Sequence, residues 1–148
     1  MTLTETTAPN QTDAISFEAE LAHPPAKVWR AITNPELVAK WLLPVVGPSL
    51  ELGARFQLKA QPQPGWAGVV DCRVLELETE RRLRYAWVVG DIDTVVTLTL
   101  APTASGTKLT VVQSGFKPEQ KQNFGGARYG WKIMGEKLVG VLASLETP

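Results

Sequence analysis

The sequence predicts an α+β fold: one antiparallel sheet of about six strands, two short helices after the first strand, and a long C-terminal helix that covers the sheet's apolar face. Three observations lead there. Six short stretches alternate apolar with polar residues and are mostly joined by short turns. Two proline-led helix starts follow the first of these stretches. Finally, apolar residues between Phe124 and Leu145 recur at helical spacing.

The first strand is read from Ile15, Phe17, Ala19 and Leu21, which alternate with Ser16, Glu18 and Glu20. His23-Pro24-Pro25 stops it and opens a short helix carrying Val28, Trp29, Ala31 and Ile32. Asn34-Pro35-Glu36 opens a second helix through Trp41, with Asn34 as N-cap and Pro35 in the first helical position. Pro44, Gly47 and Pro48 end it. The remaining strands are read from Phe56 and Leu58; Val70, Cys72 and Val74; Leu83, Tyr85 and Trp87; Val96, Leu98 and Leu100; and Leu109, Val111 and Gln113. Short turns such as PQPG and PTASG imply antiparallel neighbours.

At 100° per residue, Phe124, Ala127, Met134, Leu138, Leu142 and Leu145 lie within about 60° of Trp131. Five glycines interrupt this last helix, each weakening a helix interior by roughly 1 kcal/mol relative to Ala. The same count puts Gly126 and Gly140 outside, Gly125 and Gly130 at the flanks, and Gly135 alone within the apolar stripe. Gly135 therefore opens a gap between Trp131 and Leu138, for the sheet or for a ligand.

Composition bounds the function. With 148 residues and 44% hydrophobic content, residues 14–148 form one domain of ordinary core size, preceded by a disordered, Thr-rich tail over residues 1–13. Fifteen basic residues balance fifteen acidic ones, so no net field attracts nucleic acid or an anionic membrane. Cys72 and His23 are the only residues of their kinds, which leaves no zinc set, no intrachain disulfide and no His-based triad. A single thiol suits the cytoplasm, and the longest apolar runs fall short of the roughly 20 residues that span a bilayer.

Four phrases carry a resemblance: "PPAKVWRAITNPELVAKWLLP", "RRLRYAW", "TVVTLTLAPTASGTKLTVVQSGF" and "GGARYGWKIMGEKL". In this order and spacing the chain resembles the SRPBCC or START-related superfamily, in the branch named for the activator of heat-shock protein 90 ATPase. The resemblance implies a helix-grip fold, a curved sheet wrapped around the C-terminal helix with a cavity between them. The chain departs from the branch's usual pattern in two places: Trp41-Leu42 stands where two tryptophans are common, and Gln113 where His or Glu is frequent.

In that fold Phe56, Leu58, Tyr85, Trp87, Leu98 and Val111 point from the sheet toward Trp131, Met134, Gly135 and Leu138 of the helix. Trp41 and Trp66 add aromatic surface, and Gln113 and Arg128 are the polar members of the candidate cavity. The first function read from this set is a small binding protein holding a hydrophobic or amphipathic molecule, with no cofactor and no metal. Two alternatives stand beside it: a cyclase- or hydrolase-like enzyme polarising a carbonyl through Tyr85, Gln113 or Arg128, and a chaperone-associated adaptor. No catalytic constellation is recognisable. Tyr129 and Ile133, on the outer face of the last helix, are the candidate contact of a homodimer.

Overall fold

The computed structural model describes residues 4–8, 11–47, 51–62 and 68–145. Its strands are β1 (Thr4–Glu5), β2 (Ala14–Leu21), β3 (Val45–Val46), β4 (Arg55–Lys59), β5 (Val69–Glu78), β6 (Arg82–Val89), β7 (Ile92–Pro102) and β8 (Thr107–Ser114). The helices are α1 (Pro25–Thr33), α2 (Pro35–Trp41) and α3 (Lys121–Ser144), with a single 3₁₀ turn at Pro118–Gln120 leading into α3. All eight strands join one antiparallel sheet in the order β1-β2-β8-β7-β6-β5-β4-β3. The architecture is the expected α+β helix grip, with eight strands where about six were expected.

The two additional strands are two residues long and sit at the sheet's edges, too short to display an alternation. β3 follows α2 and pairs Val45 with Leu58. β1 pairs Thr4 with Glu18 and Glu5 with Phe17, so part of the stretch read as a disordered tail is a strand. Glu5 accepts hydrogen bonds from Nε and Nη2 of Arg128 on α3, the latter at 3.0 Å, and Lys132 Nζ lies 3.8 Å from it. The first strand thus straps the edge of the sheet to the last helix.

The helix starts follow the local chemistry read from the sequence. Pro25 and Pro35 occupy first-turn positions, where the missing N–H costs no intrahelical bond. The Asn34 side chain accepts from the backbone N–H of Glu36 at 2.9 Å and of Leu37 at 3.4 Å, capping α2. Trp41 then donates its indole N–H to the Ala31 carbonyl at 2.9 Å, which ties α2 to α1.

Alternation sends one side of each strand into the core. Ile15, Phe17, Leu83, Val96, Leu98, Leu109 and Val111 are buried there, against Trp131, Leu138 and Leu142 of α3. A bulge in β5 inserts Leu75 between Val74, opposite Tyr85, and Glu76, opposite Arg84. The extra residue keeps Leu77 on the apolar side and leaves Glu76 outside, where it pairs with Arg84 and Arg82. Without the bulge, strict alternation would turn Glu76 inward. Gly106, in the β7–β8 turn, has φ +157°, and a Cβ there would collide with the Leu21 carbonyl oxygen, so this turn packs directly on the end of β2.

Along α3 the buried residues are Phe124, Trp131, Gly135, Leu138, Val141 and Leu142. The outward assignment of Gly126 and Gly140 holds, since a Cβ at either meets nothing within 4 Å. Gly140→Ala therefore raises stability by about 0.5–1 kcal/mol, read by chemical denaturation, because the methyl group has room and the helix gains propensity. Hydrogen bonding from Arg128 holds the Glu5 carboxyl below the usual carboxylate range. A depressed folded value means that the strap contributes stability above the ordinary Glu value and loses it as pH falls through the lower folded value. Glu5→Gln is accordingly less stable than the parent at pH 7, with a gap that closes in acid and shrinks in 1 M salt.

Candidate functional site

The expected cavity divides into a packed layer and an open cleft. In the packed layer Trp41, Phe56, Leu58, Tyr85 and Leu98 meet Ile32 and Leu83 around a void of about 10 Å³. That is at the lower limit for a single water molecule. Phe56 stands edge-on to Tyr85 with ring centroids 5.6 Å apart, so the aromatic rings fill the space themselves. Burial pushes the Tyr85 phenol well above its ordinary value and the Cys72 thiol up to about 12, which keeps both neutral and unreactive.

The row of rings continues from Tyr85 to Trp87, 6.5 Å away, and from Trp87 to Trp131, 6.2 Å away. At Trp87 the packing opens. A cleft of about 860 Å³, open to solvent, lies between the β6–β7 end of the sheet and the first turns of α3. Its walls are Leu43, Val70, Trp87, Val89, Ile92, Phe116 and Ala127, with Gln113, Asp91, Gln122 and Asn123 as polar groups and Gly90 and Gly126 at the rim. This size and mixture suit a small organic molecule.

Gln113 sits at the junction of the layer and the cleft, with 2% of its surface exposed. It is fully engaged on two sides. Trp131 donates its indole N–H to Gln113 Oε1 at 2.8 Å, and Gln113 Nε2 donates to Thr94 Oγ1 at 3.0 Å. Thr94 donates in turn to the Trp87 carbonyl at 2.8 Å. The amide oxygen and one amide N–H are thereby paired with neighbours, and the same chain of bonds joins α3 to β8, β7 and β6.

The remaining candidates fall in three groups. Val111 and Leu138 are core residues, Met134 packs half-buried against the core, and Gly135 is buried in α3. Arg128 is a correction: it is exposed on α3 and held by Glu5 on the edge strand β1, so it does not line the cleft. Its place at the edge of the stripe allowed either direction, and a carboxylate on β1 drew it outward. Trp66 lies outside the described residues. Of the fourteen candidates, Trp87 and Gln113 line the cleft. Thr94 carries part of the network but was not singled out, although its alternation with Val96 and Leu98 places it inward. The cleft walls at Leu43 and Phe116 lie outside the regular strands and helices, and periodicity carries no signal for them.

Among the described residues no cluster of three or more His, Cys, Asp or Glu could hold a metal ion, and no helix is long and apolar enough to cross a membrane.

A family model described as "Activator of Hsp90 ATPase homolog 1-like protein" matches residues 22–143. The chain belongs to this family. The match to the Hsp90-activator-like family begins just after β2 and takes in α1, α2, the sheet from β3 to β8, and α3 as far as Ala143. A crystal structure of a Mesorhizobium loti protein is 38% identical, with 90% of this chain and 99% of that one covered and a TM-score of 0.83. A solution structure of an Arthrobacter aurescens protein shares the fold at 16% identity, with 99% and 95% covered and a TM-score of 0.81. DynU16, described as a putative protein in the dynemicin biosynthetic locus, does so at 23% identity and a TM-score of 0.75; 90% of this chain matches 48% of that one. Among curated proteins no match is found.

Gln113→Leu leaves the Trp131 indole N–H without its acceptor and the Thr94 oxygen without the amide N–H it accepts, and costs about 1–3 kcal/mol in denaturant unfolding. Combined with Trp131→Phe it costs less than the sum of the two single changes, since both remove the same bond.

Proposed function

We propose that the protein binds a small hydrophobic or amphipathic molecule in the cleft between the β6–β7 end of the sheet and α3. The observation that carries this reading is the cleft itself: apolar walls that include Trp87, and a few polar groups, around a volume suited to a small ligand. The helix-grip fold supports it by keeping the sheet and helix apart at this end while the other end is packed.

Catalysis is the weaker reading on chemical grounds. Asp91 is the one titratable residue lining the cleft among the described residues, and it is exposed. The amide of Gln113 neither gives nor takes a proton near neutral pH, so general acid–base chemistry has no buried agent.

Thermal-shift and native mass spectrometry screens with hydrophobic metabolites test the proposal. Gly126→Leu projects a side chain at the rim, where a Cβ meets nothing, and should weaken binding of any hit by at least about tenfold without lowering the melting temperature. Gly140→Leu, on the open outer face, should leave binding unchanged. No hit across a broad panel, or equal effects of the two substitutions, would overturn it.

A further inference from the structure

The hydrogen-bond chain at the floor of the cleft fixes which polar atoms remain available. An indole nitrogen can only donate, so Trp131 requires the oxygen of the Gln113 amide on its side. Thr94 spends its single proton on the Trp87 carbonyl, so toward Gln113 it can only accept. The two constraints agree and leave the amide with one orientation. Gln113 Nε2 carries two N–H groups, of which one goes to Thr94; the second has no partner among the described residues. The Trp87 indole N–H likewise has none. The uncommitted polar hydrogens of these two cleft-lining residues are thus a Gln113 amide N–H and the Trp87 indole N–H.

The charges around them are one-sided. Among the described residues the lining holds one carboxylate, Asp91, and no Lys, Arg or His. The amides of Gln122 and Asn123 are neutral. An anionic ligand would leave water for a largely apolar cleft without a cation to receive it, facing the Asp91 charge.

Resting on the binding reading above, we infer that the cleft takes a planar aromatic molecule without negative charge that carries a carbonyl-type acceptor. The ring lies against Trp87 and the carbonyl oxygen accepts from the free Gln113 N–H. Such a molecule matches each feature of the floor: ring against ring, acceptor to donor, and no charge to desolvate.

Three probes of one shape test it: 9-fluorenone, fluorene, and 9-fluorenone-2-carboxylate. They are titrated at neutral pH and low salt into the ¹⁵N-labelled full chain, following the indole and side-chain amide resonances. The expected result is that fluorenone shifts the Trp87 indole and Gln113 amide signals, while fluorene and the carboxylate each bind at least about fivefold more weakly. Asp91→Asn removes the one carboxylate of the described lining and should improve carboxylate binding about twofold relative to any change in fluorenone binding. If fluorene binds as tightly as fluorenone, the acceptor requirement falls. If the carboxylate matches fluorenone, or Asp91→Asn leaves it unmoved, the charge requirement falls; in these cases the binding reading stands. If none of the three moves any cleft resonance, the inference is overturned, and the binding reading falls with it only if the metabolite screen is also empty.

Discussion

Everything at the cleft end of this protein hangs on one buried amide. Gln113 joins the indole of Trp131 on α3 to Thr94 on β7, and Thr94 closes onto the backbone of β6 at Trp87. In a low-dielectric core such a chain is worth keeping when its members are paired, and here Trp131, Thr94 and one N–H of Gln113 each find an acceptor. The chain fixes the distance between helix and sheet at the point where packing gives way to the cleft. It also takes up the amide oxygen and one of the two amide N–H groups, polar capacity that an enzyme would need at that position.

The helix needs such a tie. Five glycines in α3 weaken it by a few kcal/mol in sum, and a 24-residue segment of this composition has little reason to be helical alone. Burial of Phe124, Trp131, Leu138 and Leu142 offsets that loss, each large side chain contributing roughly 1.5–3 kcal/mol. The strap from Glu5 to Arg128 and Lys132 adds a second tie from the opposite edge of the sheet. The helix is thus held by its stripe, by the Gln113 chain and by the first strand, while the glycines at its exposed face leave the rim of the cleft low.

The two ends of the concave face differ because of side-chain volume. Phe56, Tyr85, Trp41, Leu58 and Leu98 are large enough to close the space under α1 and α2, and the residual void there is negligible. Toward the β6–β7 turn the helix side offers Ala127, with Gly126 at the rim, and a cleft is left. A cavity in this fold is therefore a local deficit of side-chain volume, set residue by residue.

Period-2 alternation identified all six long strands and their inward faces, and the 100° count placed Trp131, Gly135 and Leu138 inside and Gly126, Gly140, Tyr129 and Ile133 outside. Prolines and Asn34 marked both short helices. These features were legible because they follow from local geometry, which repeats along the chain. What only the tertiary structure decided was which inward residues are core and which are cleft. Strand pairing brought Thr94 beside Gln113, Glu5 on the edge strand β1 held Arg128 out of the cleft, and Leu43 and Phe116 became walls from positions without periodicity. Alternation tells which way a side chain points, but whether space remains in front of it depends on the volume that arrives from the other side, and that is known only when the helix has docked.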